Sequence, residues 1–226
     1  MKTPIPGGLL VAIEGIDGTG KSTVAASLAQ WCGERGLACV FSKEPTSLTH
    51  GRKLRESMET GRFSIEEELE LFRLDRQEHV ERSIGPALKE NFIVILDRYY
   101  WSNAAYQGAR GVDFDSIITA NEAIAPVPDL ILLMDIDVRE SIERIHGRGD
   151  APNHFEAADA LQKVRTIFLA LHERGDRPSV RIDASADLRT VCAKSLQVFK
   201  DAAFRKIAHA TPDLLAQGDD AALFGG

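Results

Sequence analysis

Five short apolar runs, separated by longer amphipathic stretches, constrain the fold of this chain more than any other feature. The runs are LLVAI at 9–13, ACVFS at 38–42, FIVIL at 92–96, LILLM at 130–134 and SVRID at 179–183. Apolar runs without polar alternation are typical of strands buried on both faces. Such strands occur in parallel sheets that are covered by helices. We therefore predict an α/β fold with a five-stranded parallel sheet and helices on both faces.

Helical periodicity fills the segments between the runs. Within 21–35, Val24, Leu28 and Trp31 recur at helical spacing before Gly36 ends the pattern. Longer helical patterns are found at 65–90, 114–124, 156–174 and 187–207. The alternation of strand and helix patterns favours crossover connections between parallel strands.

Length and composition set the outer limits. The 226 residues, 44% of them hydrophobic, suffice for one domain with its own core, which we assign to 1–208, leaving 209–226 as a tail of unknown role. The net charge of −7 disfavours a nucleic-acid or membrane-surface partner. The apolar runs are too short to span a membrane, and no signal peptide is recognised. Three widely spaced cysteines fit a reducing, cytoplasmic location.

A phosphate-binding motif follows the first apolar run. Residues 15–22, GIDGTGKS, match G-x-x-x-x-G-K-[ST] between a predicted strand and a predicted helix. Backbone N–H groups of such a loop cradle phosphate oxygens at a helix N-terminus. Lys21 would reach the β- and γ-phosphates, and Ser22 would ligate Mg²⁺. This motif predicts the P-loop NTPase fold with ATP as ligand. The ATP-binding residues predicted here are Gly15, Ile16, Asp17, Gly18, Thr19, Gly20, Lys21, Ser22 and Thr23.

Polar residues also follow other predicted strands, where ligands bind in open parallel sheets. Asp97 is expected to hold Mg²⁺ through water, and Arg98 to bridge two phosphoryl groups, with a plain salt bridge as the alternative. Asp135 ends another strand without a neighbouring arginine and is expected to be structural. A carboxylate at Asp17 would repel a nucleotide, so it should face a hydroxyl of another ligand or a metal-bound water.

Six stretches resemble the thymidylate kinase family of nucleoside monophosphate kinases. They are IEGIDGTGKST (13–23), KEPT (43–46), LFRLDRQEH (71–79), DRYYWSNAAYQG (97–108), PDLILLMDID (128–137) and HFE (154–156). They occur in family order, and the DRY-x-x-S-x-x-AYQG pattern is characteristic of the family. The resemblance implies transfer of a phosphoryl group from ATP to dTMP with Mg²⁺, in dTTP biosynthesis, by a homodimer.

The resemblance also implies a base-binding site. Phe72 would stack on thymine, and Arg76 would donate to a base carbonyl. An arginine in an apolar helix face needs a polar partner, and a nearby acid is the alternative to the base. Asn103 and Gln107 would offer amide edges to the base. Tyr106 would exclude a ribose 2′-hydroxyl.

The acceptor phosphate and sugar have candidate partners as well. Arg98 and Arg55 would hold the monophosphate, and Asp17 would bind the 3′-hydroxyl. The Glu44–Pro45 kink would shape the pocket wall. The segment EPTSL that starts there departs from the E-P-G-G-T of many members, which leaves Arg52 as an alternative to Arg55.

Segment 143–156, ERIHGRGDAPNHFE, is predicted to be a short lid that closes over ATP and excludes water. A solvated loop is the alternative. The variable positions of the P-loop contain no arginine, so the cationic charge needed at the γ-phosphate would come from Arg148. Arg144 would pack near the adenine. The predicted catalytic residues are Lys21, Asp97, Arg98 and Arg148.

The mechanism expected is direct in-line transfer without a covalent intermediate or a histidine base, and His79 is expected on a helix surface near the pocket. A deoxynucleoside kinase is one alternative, with Glu44 as the base for a sugar hydroxyl. A nucleotide-sensing P-loop protein without turnover is another. Intact Lys21, Ser22, Asp97 and Arg98 argue against the latter.

Overall fold

A single parallel sheet organises the molecule, whose computed structural model describes residues 4–147 and 154–210. Its strand order is β2-β3-β1-β4-β5. The strands are β1 (Leu9–Glu14), β2 (Cys39–Lys43), β3 (Ile93–Asp97), β4 (Leu130–Asp135) and β5 (Ser179–Asp183). All neighbouring strands are parallel, and each lies at a predicted apolar run. The predicted five-stranded parallel sheet and the α/β class are confirmed.

Helices connect the strands. Over the two described ranges they are α1 (Lys21–Glu34), α2 (Thr49–Thr60), α3 (Ile65–His79), α4 (Gly85–Lys89), α5 (Tyr100–Gly108), α6 (Phe114–Glu122), α7 (Val138–His146), α8 (His154–Glu173) and α9 (Leu188–Ala210). A π-helical segment, Val80–Ile84, joins α3 to α4, so the pattern predicted over 65–90 runs through three consecutive helical pieces. α1 and α9 pack together against the sheet, whereas α8 packs against β4, β5 and α5.

Burial follows strand position. Every residue of β1, β3 and β4 is buried, because these strands have neighbours on both sides and helices on both faces. The edge strands β2 and β5 are partly exposed. This distribution explains why the three central runs are apolar throughout, while ACVFS and SVRID carry polar residues.

The helical patterns found in the sequence did not include three of the shorter helices, α2, α5 and α7. In α5, seven of the nine residues are buried. A helix that is buried nearly all round shows no polar face, so the amphipathic period that reveals other helices is missing from its sequence.

The strand register places the carboxyl ends of the strands at one edge of the sheet. Asp97 lies beside Ile13 of β1 and Lys43 of β2, and Asp135 lies beside Asp183. The connections after β1, β2 and β3 therefore start next to one another, and the candidate site residues concentrate in them.

The predicted lid falls only partly within the described residues. Its ends belong to α7 and α8, and Arg148 lies outside the described residues. The tail from 211 onward also lies outside them, and the division into 1–208 and 209–226 remains a prediction. None of the helices within the described ranges has the length and apolar character needed to cross a membrane.

Candidate active site

The P-loop joins the last residue of β1 to the first residue of α1. Gly15 adopts φ 136° and lies so close to β4 that a Cβ there would come within 2.2 Å of the Met134 carbonyl oxygen. At Gly18, which adopts φ 79°, a Cβ would come within 2.6 Å of the Ser141 carbonyl oxygen in α7. Larger residues would not fit at either position, because both the conformation and the space require glycine.

Lys21 is the buried cation of this loop. Its Nζ donates to the Ile16 carbonyl at 2.5 Å and lies 3.4 Å from Thr19 Oγ1. Burial, together with the nearby charge of Arg98, lowers the pKa of Lys21 to about 7. An anion bound in the loop would favour the charged form, so phosphate binding and lysine protonation are expected to support each other.

The two residues predicted to hold a metal ion are in direct contact. Ser22 Oγ donates to Asp97 Oδ2 at 2.5 Å, and Lys43 Nζ lies 3.4 Å from the same oxygen. The other oxygen, Asp97 Oδ1, is buried and has no hydrogen-bond partner in the part of the chain that the structure describes. Hydroxyl and carboxylate oxygens are ligands that Mg²⁺ prefers, usually with retained waters. The pair and its unpartnered oxygen therefore fit a Mg²⁺ ion or one of its waters.

A cavity of about 360 Å³ opens beside the P-loop. All residues predicted to bind the acceptor line it: Asp17, Glu44, Pro45, Arg55, Phe72, Arg76, Arg98, Asn103, Tyr106 and Gln107. They come from the P-loop, the connection after β2, the helices α2, α3 and α5, and the end of β3. The structure thus brings together residues that are far apart in the sequence. Their individual roles remain predictions.

A buried ion-pair network forms the floor of this cavity. Glu44 Oε2 accepts hydrogen bonds from Arg76 Nε at 3.0 Å and Nη2 at 2.5 Å, and Glu44 Oε1 is 3.0 Å from His79 Nδ1. Arg76 Nη1 also donates to Asn121, which in turn donates to Asn103 Oδ1 at 3.2 Å. Burial by itself would raise the pKa of Glu44, but the charges and hydrogen bonds of Arg76 and His79 outweigh it and hold that pKa below its usual range.

The placement expected for His79 is wrong. Only 2% of this residue is exposed, because the segment after β2 covers its face of α3 and brings Glu44 against the ring. Helical periodicity gives no information about which segment will cover a polar face. The same contact supplies Arg76 with the acidic partner that the sequence left open.

A second charged group connects the P-loop to α5. Arg98 Nη2 donates to Asp17 Oδ1, and the Tyr106 hydroxyl donates to Asp17 Oδ2 at 2.8 Å. Burial would raise the pKa of Asp17, but the charges of Arg98 and Lys21 and the Tyr106 hydroxyl together lower it. Asp17 therefore carries a carboxylate on the cavity side of the loop, the orientation expected from electrostatic repulsion.

The choice between Arg55 and Arg52 follows from position. Arg55 lines the cavity and donates to the carbonyl oxygens of Pro45 at 2.7 Å and Thr46 at 2.5 Å. Thr46 is itself fixed by Asp75, which accepts from its backbone N–H at 2.8 Å and its hydroxyl at 2.5 Å. Arg52 is exposed and does not line the cavity. The geometry therefore favours Arg55.

Comparisons with known proteins identify the family. A family model described as "Thymidylate kinase" matches residues 13–194. The chain belongs to the thymidylate kinase family. It is 52% identical over 186 residues to "Thymidylate kinase" from Xanthomonas campestris pv. campestris (strain B100), covering 82% of this chain and 80% of that protein. It is 50% identical over 193 residues to "Thymidylate kinase" from Xylella fastidiosa (strain M12), covering 85% and 87%.

A solved structure of the same family shares the fold. The crystal structure of thymidylate kinase from Ehrlichia chaffeensis superposes with a TM-score of 0.69 at 26% sequence identity, covering 86% of this chain and all of that one. The family resemblance and the P-loop NTPase fold expected from the sequence are confirmed.

The P-loop of this thymidylate kinase family member contacts α7. Ser141 Oγ donates to the Asp17 carbonyl at 2.6 Å, which holds the P-loop against this helix. Arg144 donates to the Ala184 carbonyl at 2.9 Å, at the turn after β5. Asp135 forms ion pairs with Arg165 and Arg181, in agreement with its expected structural role.

Several cavity residues of this family member were assigned no binding role by the sequence analysis. They are Lys43, Leu54, Ser57, Arg62, Glu68 and Tyr99. Lys43 precedes Glu44 within one of the stretches that resemble the family, and Glu68 lies one helical turn before Phe72, so spacing could have indicated both. No sequence pattern indicates Arg62, which lies in the connection between α2 and α3.

Proposed function

We propose that this chain transfers the γ-phosphoryl group of ATP to dTMP, forming dTDP and ADP with Mg²⁺ as the metal ion. The observation that carries the proposal is the meeting of two sites at one sheet edge. The P-loop lies on one side, the cavity of acceptor residues lies on the other, and Asp97 and Arg98 stand between them. In-line transfer needs such a placement of donor and acceptor.

On the donor side, the P-loop backbone and Lys21 bind the phosphates of ATP. The burial that lowers the pKa of Lys21 also removes water that would compete for those oxygens. Ser22 and Asp97 hold the metal ion. When bound, Mg²⁺ supplies positive charge against the negative charge of the phosphate oxygens.

On the acceptor side, side chains recognise the base and the sugar. Phe72 stacks on thymine, while Arg76, Asn103 and Gln107 face its polar edges. Because Arg76 is held by Glu44, little of its side-chain entropy remains to be lost on binding. Tyr106 fills the space beside the sugar and discriminates against a 2′-hydroxyl.

The phosphate of the acceptor lies between two arginines, Arg98 and Arg55. Arg98 is bound to Asp17, so the incoming phosphate competes with this carboxylate for the guanidinium and leaves Asp17 to the 3′-hydroxyl. We keep Arg148 as the cation that reaches the transferred group and Arg144 as a neighbour of the adenine. We also propose a homodimer in the cytoplasm, on the strength of the family resemblance.

A deoxynucleoside kinase is less consistent with these contacts. Such an enzyme would need a free carboxylate to take the proton of a sugar hydroxyl. Both oxygens of Glu44 already accept hydrogen bonds, from Arg76 and His79. A protein that only senses ATP would not need the second cavity beside the P-loop, with Arg55 and Arg98 in its lining.

The test is ADP release in a coupled assay with ATP, Mg²⁺ and a panel of acceptors: dTMP, dUMP, dCMP, dGMP, UMP and thymidine. We expect strong activity with dTMP, weak activity with UMP and none with thymidine. Turnover of thymidine but not dTMP would establish the nucleoside kinase instead. ATP binding without turnover of any acceptor would support the sensing protein.

A further inference from the structure

Glu14, the last residue of β1, is a buried carboxylate to which no step above assigns a role. None of its surface is exposed. Its Oε1 accepts from the backbone N–H groups of Tyr99 at 2.9 Å and Ser102 at 3.2 Å, and its Oε2 accepts from the Ser102 hydroxyl at 2.5 Å. One carboxylate thus binds three donors at the start of α5, more than 80 residues away in the sequence.

These donors belong to residues that closely follow Arg98 in the chain. Arg98 adopts φ 72°, in the left-handed region that costs free energy for a residue with a side chain. Its own N–H donates to the Ile13 carbonyl at 3.0 Å, and the next N–H, that of Tyr99, donates to Glu14. Two consecutive residues of β1 therefore hold the unusual backbone conformation from both sides.

The side chain of Arg98 is fixed through the same group. Arg98 Nη1 donates to Ser102 Oγ at 3.1 Å. A hydroxyl has one proton to donate and two lone pairs to accept with. Since the Ser102 proton goes to Glu14, the lone pairs of Ser102 are directed to the guanidinium.

We propose that Glu14 is a positioning residue for the acceptor phosphate, which fixes the backbone of Arg98 directly and its guanidinium through Ser102. This inference rests on the proposed function, in which Arg98 holds the phosphate of dTMP. In the ionised form, which accepts all three hydrogen bonds, Glu14 also attracts the Arg98 guanidinium, as Asp17 does.

A Glu14→Gln substitution keeps the size of the side chain but changes the pattern of donors. An amide has one oxygen, so it can continue to accept from the two backbone N–H groups only if its nitrogen faces Ser102. That nitrogen donates to the hydroxyl and competes with Arg98 for its lone pairs. A Ser102→Ala substitution removes the same link from the other end.

The experiment compares the dissociation constants of dTMP and thymidine for the wild-type protein and the two variants at pH 8, where Glu14 is mostly ionised. Glu14→Gln should raise the dissociation constant of dTMP by about tenfold to hundredfold, the range for loss of a hydrogen bond to a charged group. Binding of thymidine, which has no phosphate, should stay within about twofold. Ser102→Ala should act in the same direction, and the double variant should lose less than the product of the two effects.

Glu122→Gln is the matched control. Glu122, in α6, accepts from the hydroxyl of Tyr100 in α5 and pairs with Arg177, but it does not line the cavity. Its replacement should leave both dissociation constants unchanged.

The remaining outcomes would contradict the proposal. Unchanged dTMP binding in both variants, or an equal loss of dTMP and thymidine, would overturn the positioning role. If Glu14→Gln does not fold, Ser102→Ala alone decides between these results. A wild-type protein that binds neither ligand would refute the proposed function, and the inference with it.

Discussion

The two halves of the active site are built in different ways. The proposed donor half is centred on one continuous segment, 15–23, in which glycines and backbone N–H groups are expected to bind the phosphates. The acceptor half is assembled from side chains of several elements, and its charges are paired with one another. The donor half therefore depends on backbone conformation, whereas the acceptor half depends on contacts between distant parts of the chain.

This difference has a consequence for mutation. Removing a charge from the acceptor half leaves its partner buried and unpaired, so stability and binding should fall together. Removing the buried cation of the donor half leaves no carboxylate stranded at bonding distance among the described residues, since Lys21 donates to a carbonyl and a hydroxyl. Removal of Lys21 should therefore lower kcat but leave the free energy of unfolding close to that of the wild type.

The largest effect is expected for Glu44→Gln. It leaves the Arg76 guanidinium buried with a neutral partner, and breaking such a pair costs about 3–5 kcal/mol in the free energy of unfolding. Urea denaturation measures this loss. The matched control, Glu70→Gln in α3, the helix that carries Arg76, breaks an exposed pair with Arg73 and should lower the free energy of unfolding far less. Equal losses in the two variants would show that the acceptor half does not depend on its buried ion pair.

Lys21→Met tests the donor half. The substitution keeps an apolar stem of similar length but removes the charge at the phosphates. The kcat should fall by about 10²–10³, the size of effect seen when one preorganised charge-stabilising donor is lost. The free energy of unfolding and the dissociation constant of dTMP should stay close to those of the wild type. A clear loss of stability would show that the donor half also depends on a buried charge.

The third effect is a dependence of the free energy of unfolding on pH that is caused by Glu14. Burial is the main cause that raises the pKa of Glu14 from 4.5 to about 7. The neutral carboxyl therefore favours the folded state, and this stability is complete below about pH 4.5 and is lost as the pH rises through 7. The loss amounts to about 3 kcal/mol. The Glu14→Gln variant should lack it, which unfolding measurements between pH 5 and 8 would detect.

Asp135 serves as a control because its pKa is shifted in the opposite direction. Burial would raise its pKa, but hydrogen bonds and charges from Arg165 and Arg181 outweigh it and lower that pKa below 3.8. Its stabilising ion pairs are present above pH 3.8 and are lost as the pH falls through the folded pKa. Asp135→Asn should therefore leave the slope between pH 5 and 8 unchanged. A flattened slope in this variant would contradict the assignment to Glu14.

The smallest effect is expected for Tyr106→Phe. It removes the hydroxyl that donates to Asp17 but keeps the ring. One such bond contributes about 1 kcal/mol net, so the KM for dTMP should rise by about fivefold. The ratio of kcat/KM for dTMP over UMP should be preserved, because the ring supplies the bulk beside the sugar. A collapse of that ratio would assign the discrimination to the hydroxyl.

Much of the fold was predictable from local patterns. The central strands are buried on every side, so their sequences are apolar throughout. The P-loop is recognisable because the spacing of its glycines, lysine and serine follows from the backbone geometry of the loop itself. The helix α5 was not predicted because burial on all sides removes its amphipathic period. For His79 the predicted exposure was wrong because the covering segment comes from elsewhere in the chain.

The sequence by itself determined the strands, the P-loop and the family, because each depends on residue types at short, regular spacing. Only the tertiary structure decided how the charges pair. Arg76 and Glu44 are 32 residues apart, and Ser102 and Glu14 are 88 apart. Many acids and bases could satisfy a single buried charge. The partner is selected by which strands lie side by side and by which connections leave the same edge of the sheet.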